Sequence, residues 1–138
     1  MKRIIIINGV NLGELGSREV HLYGTLTFEE YLITLQSKFS QFEIDYFQTN
    51  QLGDLVGKIL QSKSYDGIIL NPGAYTHTSI VIADAIKAIS IPVVEVHISN
   101  VSSREQFRKN SFIAGVCLGS VSGFGLKSYE MALNYFLD

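Results

Sequence analysis

Short runs of branched apolar residues recur along the chain, separated by stretches with helical spacing. Ile4 to Ile7, within the segment Arg3 to Asn8, form a continuous apolar run, the pattern of a strand buried on both faces. Thr27 then offers an N-cap, and Glu30 three residues on completes a capping box, predicting a helix to about Phe39. Glu43 to Gln48 reads as strand and Leu52 to Lys63 as helix. Gly67 to Asn71 is a second buried run, and Ser79 to Ile89 is helical and nearly all apolar. Ile91 to His97 is strand again. Ser103 to Lys109 is a short helix, Ile113 to Val121 a fifth strand, and Phe124 to Phe136 a closing helix.

Strands alternating with helices imply right-handed βαβ crossovers and a parallel sheet. Five strands in a short chain fit an α/β, flavodoxin-like, doubly wound five-stranded parallel sheet with strand order 2-1-3-4-5, an order taken from the fold class. The 138 residues are enough for one domain and one sizeable core, so residues 1–138 are expected to form a single catalytic domain.

Composition narrows the class. The apolar share of 46% is that of a globular protein, whereas the charged share of 17% lies below the roughly 25% usual for soluble chains. That deficit points to surface covered by other subunits. A net charge of −2 argues against a nucleic-acid platform. Cys117 is the single cysteine, which excludes a disulfide framework and a multi-cysteine metal site. Lys2 and Arg3 precede Ile4 to Ile7, but the apolar run stops at Asn8, short of a signal-peptide core. No stretch approaches the ~18 apolar residues of a membrane span, and a cytoplasmic protein is expected.

Ligands of open α/β sheets bind beyond the carboxyl ends of the strands. Strand one is followed there by Asn8, Gly9 and Asn11, then by a long loop carrying Arg18 and Tyr23. Strand three is followed by Asn71-Pro72-Gly73-Ala74-Tyr75-Thr76-His77, and strand four ends in Glu95-Val96-His97 before Ile98, Ser99 and Asn100. An asparagine such as Asn71 caps a turn or binds a ligand. Glu95 and His97 alternate across Val96, so both point to one face. A carboxylate beside an imidazole fixes its tautomer and raises its basicity.

The loop from Gly9 to Gly24 contains four glycines, but their spacing matches neither G-x-G-x-x-G nor a Walker A sequence. Its length is that of a lid or binding loop. Arg104 and Arg108, spaced i, i+4, share a face that is either solvated or suited to a carboxylate or phosphate. Asp84 either pairs with Lys87 or reaches a partner subunit.

A receiver or flavin-binding module without catalysis is the alternative on this fold. A receiver needs acids after strand one and an aspartate after strand three, where this chain has Asn8 and Asn71. A flavin site wants a hydroxyl-rich first loop, and Asn8 to Gly16 contains no serine or threonine. A non-catalytic oligomeric scaffold leaves the polar rim unexplained.

Together these segments resemble the type II 3-dehydroquinate dehydratases, nearly end to end. The resemblance is carried by Asn71-Pro-Gly-Ala-Tyr-Thr-His77 with Thr78 and by Glu95-Val-His97-Ile-Ser-Asn100. Arg104 with Phe107-Arg108, Gly16-x-Arg18-Glu19 before Tyr23-Gly24, and Gly123-Phe-Gly125 complete it. The chain departs from the family at Val10, at Gly13-Glu14 and at Ser122. The resemblance implies that Tyr23 is the base, held as phenolate by Arg18, and that His97 is the general acid, oriented by Glu95. Asn11 would hold the site's water. Asn71, His77, Arg104, Arg108 and the backbone at Ile98 and Ser99 would bind 3-dehydroquinate, with Asp84 supplied by a neighbouring subunit. It further implies a homododecamer built from trimers, with no metal and no cofactor.

Overall fold

The structure is a computed structural model that describes residues 1–10, 12, 26–100 and 110–137. Its elements in chain order are β1 (Lys2–Asn8), α1 (Phe28–Lys38), β2 (Phe42–Gln48), α2 (Leu52–Gln61) and β3 (Gly67–Asn71). A 3-10 turn (Gly73–His77), α3 (Ile80–Lys87), β4 (Val93–His97), β5 (Gly119–Ser122) and α4 (Lys127–Tyr135) follow. The strands form one parallel sheet in the order β2-β1-β3-β4-β5, the doubly wound order expected.

Ile4 to Ile7 are fully or almost fully buried because helices cover both faces of the sheet. Ile4, Ile6, Ile69, Val94 and Val96 pack with Phe28, Leu35, Tyr129 and Leu133 from α1 and α4. Ile5, Ile7, Ile68, Leu70 and Val93 pack with Leu55, Ile59, Ile82 and Ile86 from α2 and α3. The α1 capping box forms as read: the Glu30 amide donates to Thr27 Oγ1 at 3.1 Å, and the Thr27 amide donates to Glu30 Oε1 at 2.9 Å. Among the described residues, no helix is long and apolar enough to cross a membrane.

The fifth strand is the main correction. It was expected over Ile113 to Val121 but covers only Gly119–Ser122. Ser111 Oγ accepts from the amides of Ile113 and Ala114, and the Ile113 carbonyl accepts from Val116 and Cys117. These local bonds make a turn of a β-branched segment, and a side chain competing for backbone amides outweighs strand propensity. Ile113 is buried, but from that turn. Smaller corrections fall at element ends: β4 starts after Pro92, α2 stops at Gln61, and α4 spans Lys127–Tyr135. The short helix expected over Ser103 to Lys109 lies outside the described residues.

Two glycines fix the rim where β1 and β3 end. A Cβ on Gly9 would collide with the backbone carbonyl of Pro72, and Gly73 has φ +66° and a Cβ there would collide with the Val10 carbonyl oxygen. The Gly9 amide donates to the Asn71 carbonyl at 2.7 Å. The two strand exits therefore touch, backbone on backbone, which side chains would prevent.

Candidate active site

The carboxyl rim of β1, β3 and β4 gathers most of the described candidates. Asn8 and Asn71 are direct register partners in the β1–β3 pair. Period-two alternation turns both toward α1 and α4, along with Ile6 and Ile69. There the fully buried Tyr129 of α4 bridges them: its hydroxyl donates to Asn8 Oδ1 at 2.8 Å and accepts from Asn71 Nδ2 at 2.9 Å. Asn71 Oδ1 accepts from the Gly73 amide at 3.1 Å, which closes the turn after β3. Asn71 thus caps a turn and keeps one amide proton for a ligand. Burial pushes the Tyr129 phenol well above its ordinary pKa, so it stays a neutral donor. Tyr46, joined to Asn8 Nδ2 at 3.4 Å, is pushed up to about 12, also by burial.

Glu95 and His97 face the other side of the sheet, toward α3. Both are buried, with Glu95 only 2% exposed, and His97 Nε2 lies 2.6 Å from Glu95 Oε2. A carboxylate only accepts, so Nε2 carries the proton and Nδ1 is left for chemistry. The expected same-face pair is therefore formed. His77, at the end of the 3-10 turn, donates from Nδ1 to the Asn110 carbonyl at 2.6 Å. Its ring is stacked at 23° to that of His97, with centroids 6.3 Å apart. Two imidazoles, each held through one nitrogen, therefore sit side by side on the rim.

Ser111 also donates to Glu95 Oε2, at 3.0 Å. Glu95 Oε1 and the hydroxyls of Thr76 and Ser79 are buried without a hydrogen-bond partner among the described residues. Cys117 is pushed up to about 12, chiefly by burial and further by the Glu95 charge, which keeps the thiol protonated and inert.

Ile98 is buried at the end of β4, and Ser99 is half-buried beside it. Asp84 is exposed on α3, and among the described residues no ion pair joins it to Lys87. Asn11, Arg18, Tyr23, Arg104 and Arg108 lie outside the described residues. Sequence reading passed over Tyr129 and Ser111. Tyr129 is far from both its partners in the chain, and Ser111 stands in a segment read as the approach to a strand.

Residues 2–137 match the family described as Dehydroquinase class II. A 3-dehydroquinate dehydratase of Caldicellulosiruptor bescii is 49% identical over 137 residues, spanning 96% of this chain and 94% of that protein. One of Clostridium botulinum (strain Hall) is 47% identical over 141 residues, spanning all of this chain and 96% of its own. Among solved structures, a type II dehydroquinase from Butyrivibrio crossotus superposes with a TM-score of 0.93 at 42% identity, covering 99% of this chain and 98% of that one.

Proposed function

The chain belongs to the class II dehydroquinases, and from that membership we propose how its residues share the removal of water from 3-dehydroquinate to give 3-dehydroshikimate in the shikimate pathway. The protein is a hydro-lyase. The reaction takes a proton alpha to a ketone and expels a beta hydroxyl, so it needs a base, an acid and a stabiliser of enolate charge.

Tyr23 as phenolate takes the alpha proton, and the electron pair moves into the enolate. Asn11 holds the water that stabilises the enolate oxygen. As the enolate collapses to the carbon–carbon double bond, His97, protonated on both ring nitrogens at this step, gives its Nδ1 proton to the hydroxyl, which departs as water, while Nε2–H stays on Glu95. The carbon acid's proton is left on Tyr23 and the imidazole is left neutral, so one proton passing back from phenol to imidazole resets the site. Tyrosine's free pKa of about 10 makes it a poor base at neutral pH. Lowering it by about 2 units takes ~2.7 kcal/mol, which an adjacent guanidinium such as Arg18 supplies in a closed, drier site. Asn71, His77, Arg104, Arg108 and the Ile98–Ser99 backbone bind the substrate. Asp84, exposed on α3, is the residue offered to a neighbouring subunit, in a cytoplasmic dodecamer of trimers.

The observation that carries this reading is the buried Glu95–His97 pair at 2.6 Å, with Nδ1 of His97 left open beside His77. A non-catalytic module has no use for a carboxylate buried in a strand to hold one imidazole. The test is turnover of Tyr23→Phe and His97→Gln. Each should fall by at least ~100-fold, since positioned acid and base groups contribute about 10²–10⁴. Arg18→Lys, which keeps the charge and loses the planar fork, should recover part of what Arg18→Ala loses. Near-normal turnover in Tyr23→Phe would remove Tyr23 as the base.

A further inference from the structure

We propose that Ser111 is a positioning residue for the acid half of the site, holding the Glu95 carboxylate that orients His97. The proposal rests on the reading of His97 as the general acid.

The Glu95 side chain is buried in β4, and its polar partners among the described residues all sit on one oxygen. Oε2 accepts from His97 Nε2 at 2.6 Å and from Ser111 Oγ at 3.0 Å, while Oε1 accepts from nothing. Without Ser111, the one partner left to the carboxylate among the described residues is the imidazole it is meant to orient. A buried carboxylate short of donors turns to find them, and the imidazole turns with it.

The hydrogen bonds of Ser111 leave its hydroxyl proton for Glu95. A hydroxyl has one proton and two acceptor positions. Both acceptor positions are taken by fixed backbone donors, the amides of Ile113 at 3.2 Å and Ala114 at 3.0 Å. The proton is left with Glu95 alone. The two amides fix the hydroxyl's direction and polarise it as a donor.

The backbone around Ser111 is also anchored to the rim. The Phe112 amide donates to the Thr76 carbonyl at 2.9 Å, and the Asn110 carbonyl accepts from His77 Nδ1 at 2.6 Å. Three consecutive residues therefore touch the 3-10 turn, Glu95 and His77. They act as a crosspiece: Asn110 holds one imidazole directly, and Ser111 holds the other through Glu95. The two rings held in this way stand 6.3 Å apart.

The experiment compares kcat and KM for Ser111→Ala, Ser111→Thr, Glu95→Gln, His97→Gln and the double variant Glu95→Gln with Ser111→Ala. Ser111→Ala should lower kcat by about 10-fold with KM within about twofold, the size of loss expected when one hydrogen bond to a charged group is removed. Ser111→Thr keeps the proton and both acceptor positions and should recover kcat to within about threefold. In the Glu95→Gln background, Ser111→Ala should cost less than about twofold more, because residues acting through one another are not additive. If the two losses instead multiply, Ser111 only builds its turn and the proposal falls. It falls equally if Ser111→Ala keeps wild-type kcat while His97→Gln is inactive. Near-normal turnover in His97→Gln would overturn the reading of His97 itself. Should Ser111→Ala fail to fold, Ser111→Cys, with a weaker donor, takes its place in each comparison.

Discussion

Replacing Tyr129 with Phe deletes one oxygen from the centre of the fold and leaves its packing in place. The ring keeps its edge contact with Phe28, at 4.9 Å between centroids, and its place in the core under α4. What disappears is a donor to Asn8 Oδ1 and an acceptor for Asn71 Nδ2, at 2.8 and 2.9 Å, both on side chains 3% exposed or less. A buried polar group left unpaired costs about 1–3 kcal/mol, so two bare losses set an upper bound near 6 kcal/mol. Asn8 and Asn71 are register partners, and a direct bond from Asn71 Nδ2 to Asn8 Oδ1 would recover part of that cost. The expected loss is about 2 kcal/mol. The phenol's pKa is raised far above neutrality by burial, so the loss should be the same at pH 6 and pH 8. Urea unfolding at one fixed protein concentration reads it as a lower midpoint with unchanged slope. A loss below about 0.5 kcal/mol would refute the claim that Tyr129 ties the two strand ends together.

Three further outcomes follow from the same geometry. Glu130 accepts from Lys38 Nζ and from the Tyr31 hydroxyl, each at 2.7 Å, and these bonds, Lys38 first, hold its carboxyl below the ordinary 4.5. The unfolded chain then takes up the proton first, so the stability from this group is full above about pH 4.5 and is lost as pH falls through the depressed folded value. Glu130→Gln should be less stable than wild type by about 0.2–1 kcal/mol at pH 7, with the gap narrowing in denaturant titrations as pH falls below 4.5, and a constant gap would count against the pairing. Gly9→Ala should cost at least about 1–3 kcal/mol and lower activity with it, because its Cβ meets the Pro72 backbone and not a yielding side-chain end; an unchanged melting curve would contradict the rim packing. For the assembly, light scattering on active protein should show a species of many subunits, and a fully active monomer would exclude a neighbour's Asp84 from the site.

Much of the architecture was legible because local signals and burial agreed. The uninterrupted Ile4–Ile7 run and the Thr27–Glu30 box formed where read, and the first four strands and the helices between them formed close to their expected bounds. So did the Glu95–His97 pair, since period-two alternation is a geometric certainty once the strand is assigned. The same rule implies that Asn71 points away from His97's face, toward α4, and there the structure adds what the sequence reading left out. Tyr129 lies 58 residues from Asn71 and 121 from Asn8, and on its helix it looks like any other core aromatic. The fifth strand was misplaced because Ile113 and Val116 carry strand propensity, while Ser111, which captures two of the amides there, leaves no mark in a hydrophobic pattern. Ser111's third bond, to Glu95, joins segments 16 residues apart and was invisible for the same reason.

The central claim is that this chain eliminates water from 3-dehydroquinate with its own acid and base and without a metal ion. The most direct measurement mixes the purified protein, dialysed exhaustively against chelator, with 3-dehydroquinate and follows the ultraviolet absorbance of the conjugated enone. The account predicts a steady rise at a rate unchanged by chelation, reduced at least ~100-fold in His97→Gln. No rise, or a rise that chelation abolishes and a divalent ion restores, would contradict it.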